Sequence, residues 1–255
     1  MEKSNAHTGE KAKGHSHFSY QDHGRCWMAE IKEEEKKLHY SKQSPIDIPP
    51  PFQVLFNLYP AIVIEQGEEL IEGKFEEDGH SYKFNGNRIH TLQINYKKDL
   101  SLIYESPQFH FHSPSEHTFH GKFYPLEMHL VHLLKSEDKK GEYPKIAVLA
   151  ICFDFSLVEN PFLNEIINGG SSMKLALKSF LKKINPTYYT YEGSLKTPPL
   201  SEGVQWVIFE EAQKANFTQI LNISKHWASH LNTVENNREI QPLNGRKISK
   251  HVNTL

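Results

Sequence analysis

Two short runs that alternate in a strand-like way constrain this chain more than any other feature. Gln108-Phe109-His110-Phe111-His112 alternates polar and aromatic residues. After a short loop, Leu126-Glu127-Met128-His129-Leu130-Val131-His132 alternates apolar and polar residues as far as Leu130. In an extended strand, residues i and i+2 share a face. Such runs belong in a sheet with at least one buried face, and they set His110 and His112 side by side. An adjacent antiparallel strand can bring His129 to meet them.

Three neutral imidazoles converging on one point make a zinc site with one position open to water. A metal-bound imidazole usually gives its second ring nitrogen to an acceptor. Gln108 stands two residues before His110, and Glu127 two residues before His129, each on the ligand's own strand face. An isolated H-x-H pair is most often part of a packed sheet, and 16 histidines make chance pairs common. The second run, with its own carboxylate, tips the reading towards a metal. The expected ligands are therefore His110, His112 and His129 around Zn2+, with Gln108 and Glu127 as their supports.

The rest of the composition narrows the function classes. The chain has 255 residues, enough for one large domain or two small ones. Its 29 basic and 31 acidic residues nearly balance, and no basic stripe suggests a nucleic-acid partner. No apolar stretch approaches the ~20 residues of a membrane-spanning helix. Cys26 and Cys152 are the only cysteines, so a disulfide framework and a cysteine-rich zinc module are excluded. Two free thiols are expected, with a single bridge as the alternative. No apolar leader segment follows Met1. The expected location is the cytoplasm, or the periplasm or exterior if a leader has been removed.

Strand signals dominate from Pro45 onward. Ala61–Ile64, Ser81–Phe84, His90–Tyr96, Ser101–Tyr104, Ile146–Phe153 and Val204–Phe209 are β-prone runs, several of them punctuated by Gly, Asn or Asp. A charged helix is expected over Ala29–Leu38, and others over Leu175–Ile184 and Phe217–Trp227. Residues 1–17 are polar and read as a flexible arm, whose His7, His15 and His17 stay solvated. Strands outnumber helices and do not alternate with them. Residues 18–255 are thus expected to form a single mixed α+β, mostly β domain around a large, twisted, mainly antiparallel sheet with peripheral helices.

The segment QFHFHSPSEHTFHGKFYPLEMHLVH, residues 108–132, resembles the zinc-binding heart of the α-class carbonic anhydrases, especially the bacterial type. Gln43-Ser44-Pro45-Ile46-Asp47-Ile48, Ile146–Ile151, Gly193–Leu200 and Gln241-Pro242-Leu243 fall in the same order as in that family. The resemblance runs over roughly residues 18–250, nearly the whole chain. It implies a catalytic domain that hydrates carbon dioxide reversibly to bicarbonate and a proton through zinc-bound hydroxide. It also implies an apolar wall of Val131, Val148, Leu195, Val204 and Trp206, with His80 as proton shuttle. Sulfonamides and anions are the implied inhibitors, and a monomer or homodimer the implied assembly.

Three positions depart from the resemblance. The family has a threonine after Gly-Ser-Leu, relaying a hydrogen bond to a buried glutamate that corresponds to Glu116; this chain has Lys196. A protonated lysine offers three donors and no acceptor. It can pair with Glu116, turn to solvent, or approach the metal as a fourth ligand. Thr197 is adjacent and can partly substitute. Leu200 stands where exported members often carry a cysteine, and Lys83 where a small polar residue is usual. The expected function is an enzyme with an altered rate. A catalytically impaired, carbonic-anhydrase-related binding protein is the alternative, and an unrelated zinc hydrolase a third reading.

Overall fold

The computed structural model describes residues 19–31, 40–64, 68–77, 79–135, 143–170, 172–231, 233 and 235–252. The arm over residues 1–17, and the helix expected over Ala29–Leu38 beyond its first turn, lie outside them. What is described there is a four-residue helix, α1 (Trp27–Glu30).

Strands then follow in close succession. They are β1 (Asp47–Ile48), β2 (Leu55–Phe56), β3 (Ala61–Ile64), β4 (Ile71–Glu77), β5 (Tyr82–Lys97) and β6 (Leu100–His112). Next come β7 (Thr118–Phe119), β8 (Lys122–Phe123), β9 (Leu126–Leu134) and β10 (Ile146–Phe155). After α2 (Pro161–Asn168), β11 (Ser172–Leu175) and α3 (Leu177–Leu181), the chain forms β12 (Thr187–Ser194), β13 (Glu202–Phe209) and β14 (Gln213–Ala215). It ends with α4 (Phe217–Leu231) and β15 (Ser249–Val252).

One large sheet runs in the order β11-β4-β5-β6-β9-β10-β13-β12-β15-β2, with β3 paired to β5 and β14 to β10. Its pairs are mainly antiparallel; β10 with β13 and with β14, and β15 with β2, are parallel. Strand β10 explains the layering. Ala147 to Phe153 are all buried, as suits a strand covered on both faces. Ala147, Leu149, Ile151 and Phe153 enter the larger core with Phe109, Leu130, Phe162, Phe180 and Trp227. Val148, Ala150 and Cys152 face the other way and join Ile46, Tyr191, Val204 and Trp206. The same alternation on β9 sends Met128 and Leu130 into the larger core and turns Glu127, His129 and Val131 towards the second face.

The expected strands are present; Ala61–Ile64 has the expected bounds and the others run longer. The runs 81–84 and 90–96 join in β5 across Asn85-Gly86-Asn87, and the pairing with β6 shifts register between Asn85 and His90. The expected helix over Leu175–Ile184 is shorter, because Leu175 belongs to β11. Helix α2 was not expected. Asn160 caps it, accepting from the Phe162 and Leu163 amides, and Pro161 opens its first turn. Cys26 is exposed and Cys152 buried, and no disulfide joins them.

The larger core holds one buried imidazole pair. His90 Nδ1 and His132 Nε2 lie 2.8 Å apart. Burial pulls the His90 pKa down to about 4. Burial and the neighbouring His90 hold His132 well below the ordinary imidazole value. In the unfolded chain both titrate near pH ~6.5. On acidification from there towards 4, the unfolded chain takes up protons that the folded chain refuses, so stability present above the unfolded pKa is lost. Urea unfolding should show stability falling by roughly 1 kcal/mol or more per pH unit below pH ~6.5. The double variant H90Q/H132Q should flatten part of that slope; an unchanged slope would exclude the pair as its source.

Candidate metal centre

Strands β6 and β9 bring the three expected ligands together. His110 pairs directly with His129 across the ladder, and His112 lies two residues along on the same face. The ring centroids are 5.0 Å apart for His110–His112, 5.3 Å for His110–His129 and 4.8 Å for His112–His129. One nitrogen of each ring falls within 4.8 Å of the other two.

The second nitrogen of each ring is engaged elsewhere. His110 Nδ1 lies 2.9 Å from Gln108 Oε1. His112 Nδ1 lies 2.8 Å from the Asn236 carbonyl oxygen. His129 Nε2 lies 2.7 Å from Glu127 Oε1. Gln108 and Glu127 were anticipated from sequence; Asn236 was not. Asn236 also ties the ligand strand to the shuttle candidate, because its Nδ2 donates to the His80 carbonyl at 2.9 Å and the Phe111 carbonyl at 3.1 Å.

Glu127 is the centre of a buried network. Its Oε2 accepts from the amides of Glu116 at 2.7 Å and His117 at 2.9 Å. Its Oε1 meets His117 Nδ1 at 2.7 Å as well as His129. Burial by itself raises the pKa of this carboxyl group. The imidazoles of His117 and His129, by charge and hydrogen bonding, outweigh burial and hold it well below the usual range. His117 Nε2 shares a hydrogen bond with the Tyr191 hydroxyl at 2.8 Å, and Tyr191 donates to Ser44 Oγ at 2.8 Å. Ser44 Oγ also accepts from the Ser194 amide at 3.1 Å, at the end of β12. Gly193 is required here: a Cβ at that position would fall against Ser44 Oγ and the rings of Tyr191 and Trp206.

Lys196 takes the first of its three possible courses. Its Nζ forms an ion pair with Glu116 Oε2, and both side chains are buried. The same Nζ lies 2.6 Å from His129 Nδ1 and 4.6 Å from the centre of the Trp206 ring. Burial pulls the Lys196 pKa down, while the carboxylates of Glu116 and Glu127 oppose the shift. Glu116 Oε1 accepts from the Arg238 amide at 3.0 Å. Thr197 is half-buried, and its carbonyl accepts from the Leu200 amide in the turn that follows.

The five wall candidates assemble. Val148, Val204 and Trp206 are buried in one cluster, with Val131 and Leu195 packed against it. His129 meets the Trp206 ring edge-on at 5.2 Å. His80 sits half-buried, with its ring centroid 6.1 Å from that of Tyr20. Lys83 pairs with His110 across β5 and β6 and so shares its face.

The donor set fits a divalent ion that favours imidazole, such as zinc. Burial, with the charges of His112, His129, Lys196 and Lys83, keeps His110 well below its usual pKa. Burial and Lys196 lower His129 to about 3, against the opposing pull of Glu127. Both rings are therefore neutral near pH 7, as ligation requires.

Three imidazoles on one face of a large sheet, beside an apolar cluster, form a candidate site for a single metal ion. Comparison with known proteins is more specific. A family model described as eukaryotic-type carbonic anhydrase matches residues 23–252. A carbonic anhydrase of Klebsiella pneumoniae is 32% identical over 247 residues, which cover 91% of this chain and 90% of the relative. One from Neisseria gonorrhoeae is 30% identical, with 92% and 88% covered. The α-carbonic anhydrase of Thermovibrio ammonificans, solved with the inhibitor sulfanilamide, has a TM-score of 0.74 at 29% identity, covering 92% of this chain and 100% of that one. The chain belongs to the eukaryotic-type, or α-class, carbonic anhydrase family.

Loss of Glu127 removes the acceptor for two amides and two imidazoles at once. Breaking a buried charge network by deleting one partner costs about 3–5 kcal/mol. Glu127→Ala should therefore lose about 3 kcal/mol or more in urea unfolding. A loss below about 1 kcal/mol would mean the four donors find other acceptors.

Proposed function

We propose that this protein catalyses zinc-dependent, reversible hydration of carbon dioxide to bicarbonate and a proton. The observation that carries the reading is the convergence of His110, His112 and His129, each ring held by an acceptor on its far side. These three residues would hold the ion. Bound zinc would supply Lewis acidity, bringing the pKa of a water from 15.7 to about 7.

The chain's own residues supply the rest. Gln108, Asn236 and Glu127 fix the tautomer and orientation of each imidazole. Val131, Val148, Leu195, Val204 and Trp206 offer carbon dioxide a surface with which its unhydrated form is compatible, and exclude competing water. His80 is the residue to which the family resemblance gives the passing of the released proton to buffer, a task suited to an imidazole, which can both accept and donate one. Glu116 and Lys196 act as a unit. Their ion pair occupies the carboxylate oxygen that would otherwise accept a hydrogen bond from a neutral neighbour. The pair keeps the pocket neutral, but orients the attacking water less well than a hydroxyl relay would. A sulfonamide should bind at the position open to water.

One contact supports the second reading, an impaired binding protein. Lys196 Nζ approaches His129 on the nitrogen that the metal needs. Stopped-flow carbon dioxide hydration, on protein verified to carry one zinc per chain, separates the two. The enzyme reading expects a zinc-dependent rate that His110→Ala abolishes. Lys196→Thr should raise kcat at least tenfold and strengthen zinc binding in competition with a chromogenic chelator. No rate above buffer at full zinc occupancy would favour the binding-protein reading. A Lys196→Thr variant that is no faster would remove Lys196 as the cause.

A further inference from the structure

The connection between β4 and β5 carries His80, and one residue of helix α4 holds both of its ends. Glu77 closes β4, Tyr82 opens β5, and the two are partners across the ladder. His226 Nδ1 lies 2.6 Å from Glu77 Oε1. An ionised carboxylate can only accept, so Nδ1 carries the proton. The same imidazole lies flat on the Tyr82 ring, with centroids 3.7 Å and planes 4° apart. Tyr82 stacks in turn on Phe75 at 4.1 Å. A pile of three rings and one carboxylate thus clamps the hairpin against α4.

The clamp stands on a rigid base. Ile223, Trp227 and Leu231 bury their side of α4 in the larger core, to which Phe75 and Tyr82 also belong. The connection itself is the looser part, because Gly79 turns it at a φ of +81°. On its other flank, the His80 carbonyl accepts from Asn236 Nδ2, and the Asn236 carbonyl meets His112 Nδ1. His80 therefore sits between two anchors, one tied to the histidine triad and one to α4. The side chains of His226 and Glu77 are 27% and 42% exposed. A pair so close to solvent adds little to stability. Its effect is to fix where the hairpin lies.

We propose that His226 is a positioning residue for His80, setting through Glu77 and Tyr82 the place from which the His80 imidazole takes up the released proton. This role rests on the reading of His80 as proton shuttle. Proton transfer needs donor and acceptor within hydrogen-bond reach, directly or through one water. Misplacing a positioned group by about 1 Å can cost on the order of 10²-fold in rate. With either end of the connection released, its glycine lets His80 sample such displacements. His226 belongs neither to the triad nor to the apolar wall, so its loss should leave the capture of carbon dioxide untouched.

Stopped-flow kinetics of the zinc-loaded protein, with nitrogen-edited NMR of its histidine rings, test this role. kcat/KM reports the steps up to hydration, while kcat also includes proton release. His226→Ala should lower kcat about fivefold in dilute buffer and leave kcat/KM within about twofold. Added imidazole, a diffusible proton carrier, should restore the lost kcat. Glu77→Ala should behave in the same way. Glu77→Gln keeps an acceptor oxygen for Nδ1 and should stay near the parent. If His226→Ala misfolds, the two variants of exposed Glu77 carry the test. The His80 ring signals should shift or broaden in His226→Ala, while those of His110, His112 and His129 stay in place. Parental kcat in folded His226→Ala and Glu77→Ala, beside an impaired His80→Ala, overturns the positioning role alone. So does an equal loss of kcat and kcat/KM, which marks a general structural effect, or a set of His80 signals that does not move. Failure of the shuttle reading looks different: His80→Ala then keeps its kcat, or the loaded protein shows no rate at all, and the positioning role falls with it.

Discussion

The buried Glu127 carboxylate is the contact on which the site depends. It takes two amides from the 116–117 turn and two imidazoles, one from the triad and one from that turn. A charged acceptor with four donors is stable without solvent, because every lone pair has a partner. The arrangement does more than hold charge. It fixes His129 from behind, folds the segment after β6 back against β9, and through His117 and Tyr191 reaches the end of β12. Three regions far apart in sequence are thereby registered to one another within hydrogen-bond tolerance.

Part of this arrangement was legible in the sequence, and the reason is periodicity. Gln108 and Glu127 support ligands two residues away on their own strands, so the two-residue repeat was enough to find them. The wall residues likewise alternate on β9, β10 and β13, although their role came from family resemblance. Asn236 escaped because it acts through its backbone carbonyl, 124 residues from His112. No side-chain pattern encodes such a contact. His117 and Tyr191 escaped for a related reason: each bonds across the fold, and a lone histidine among 16 carries little signal.

The fold followed the same division. The buried run 146–153 and the alternating runs around the triad form strands, as their composition dictates. Turn-forming residues misled where tertiary pairing overrode them, as at Asn85-Gly86-Asn87 within β5. Helix α2 did carry a local signal. Asn160-Pro161 is a cap followed by a first-turn proline, and Phe162, Leu163 and Ile166 then recur at helical spacing on the buried side.

The buried charges close the argument. Among the described residues, the buried acids and bases other than histidine are Glu116, Glu127, Lys196 and Arg238, two of each sign. Arg238 donates to Gln43 Oε1 at 2.9 Å and the Ser44 carbonyl at 2.7 Å, while its amide serves Glu116. Burial lowers its pKa to about 10, against the pull of Glu116, and it stays protonated at neutral pH. Without Lys196 the set would carry one uncompensated carboxylate, costly in a desolvated pocket unless a divalent ion offset it. With Lys196 the set is balanced before any metal is counted. A divalent ion at the three imidazoles would then add charge to a neutral pocket, and an anion on the open side is the nearest means of restoring balance. With such an ion bound, the lysine that displaces a hydroxyl-type relay would therefore favour an anion on the open side, the class to which bicarbonate and ionised sulfonamides belong.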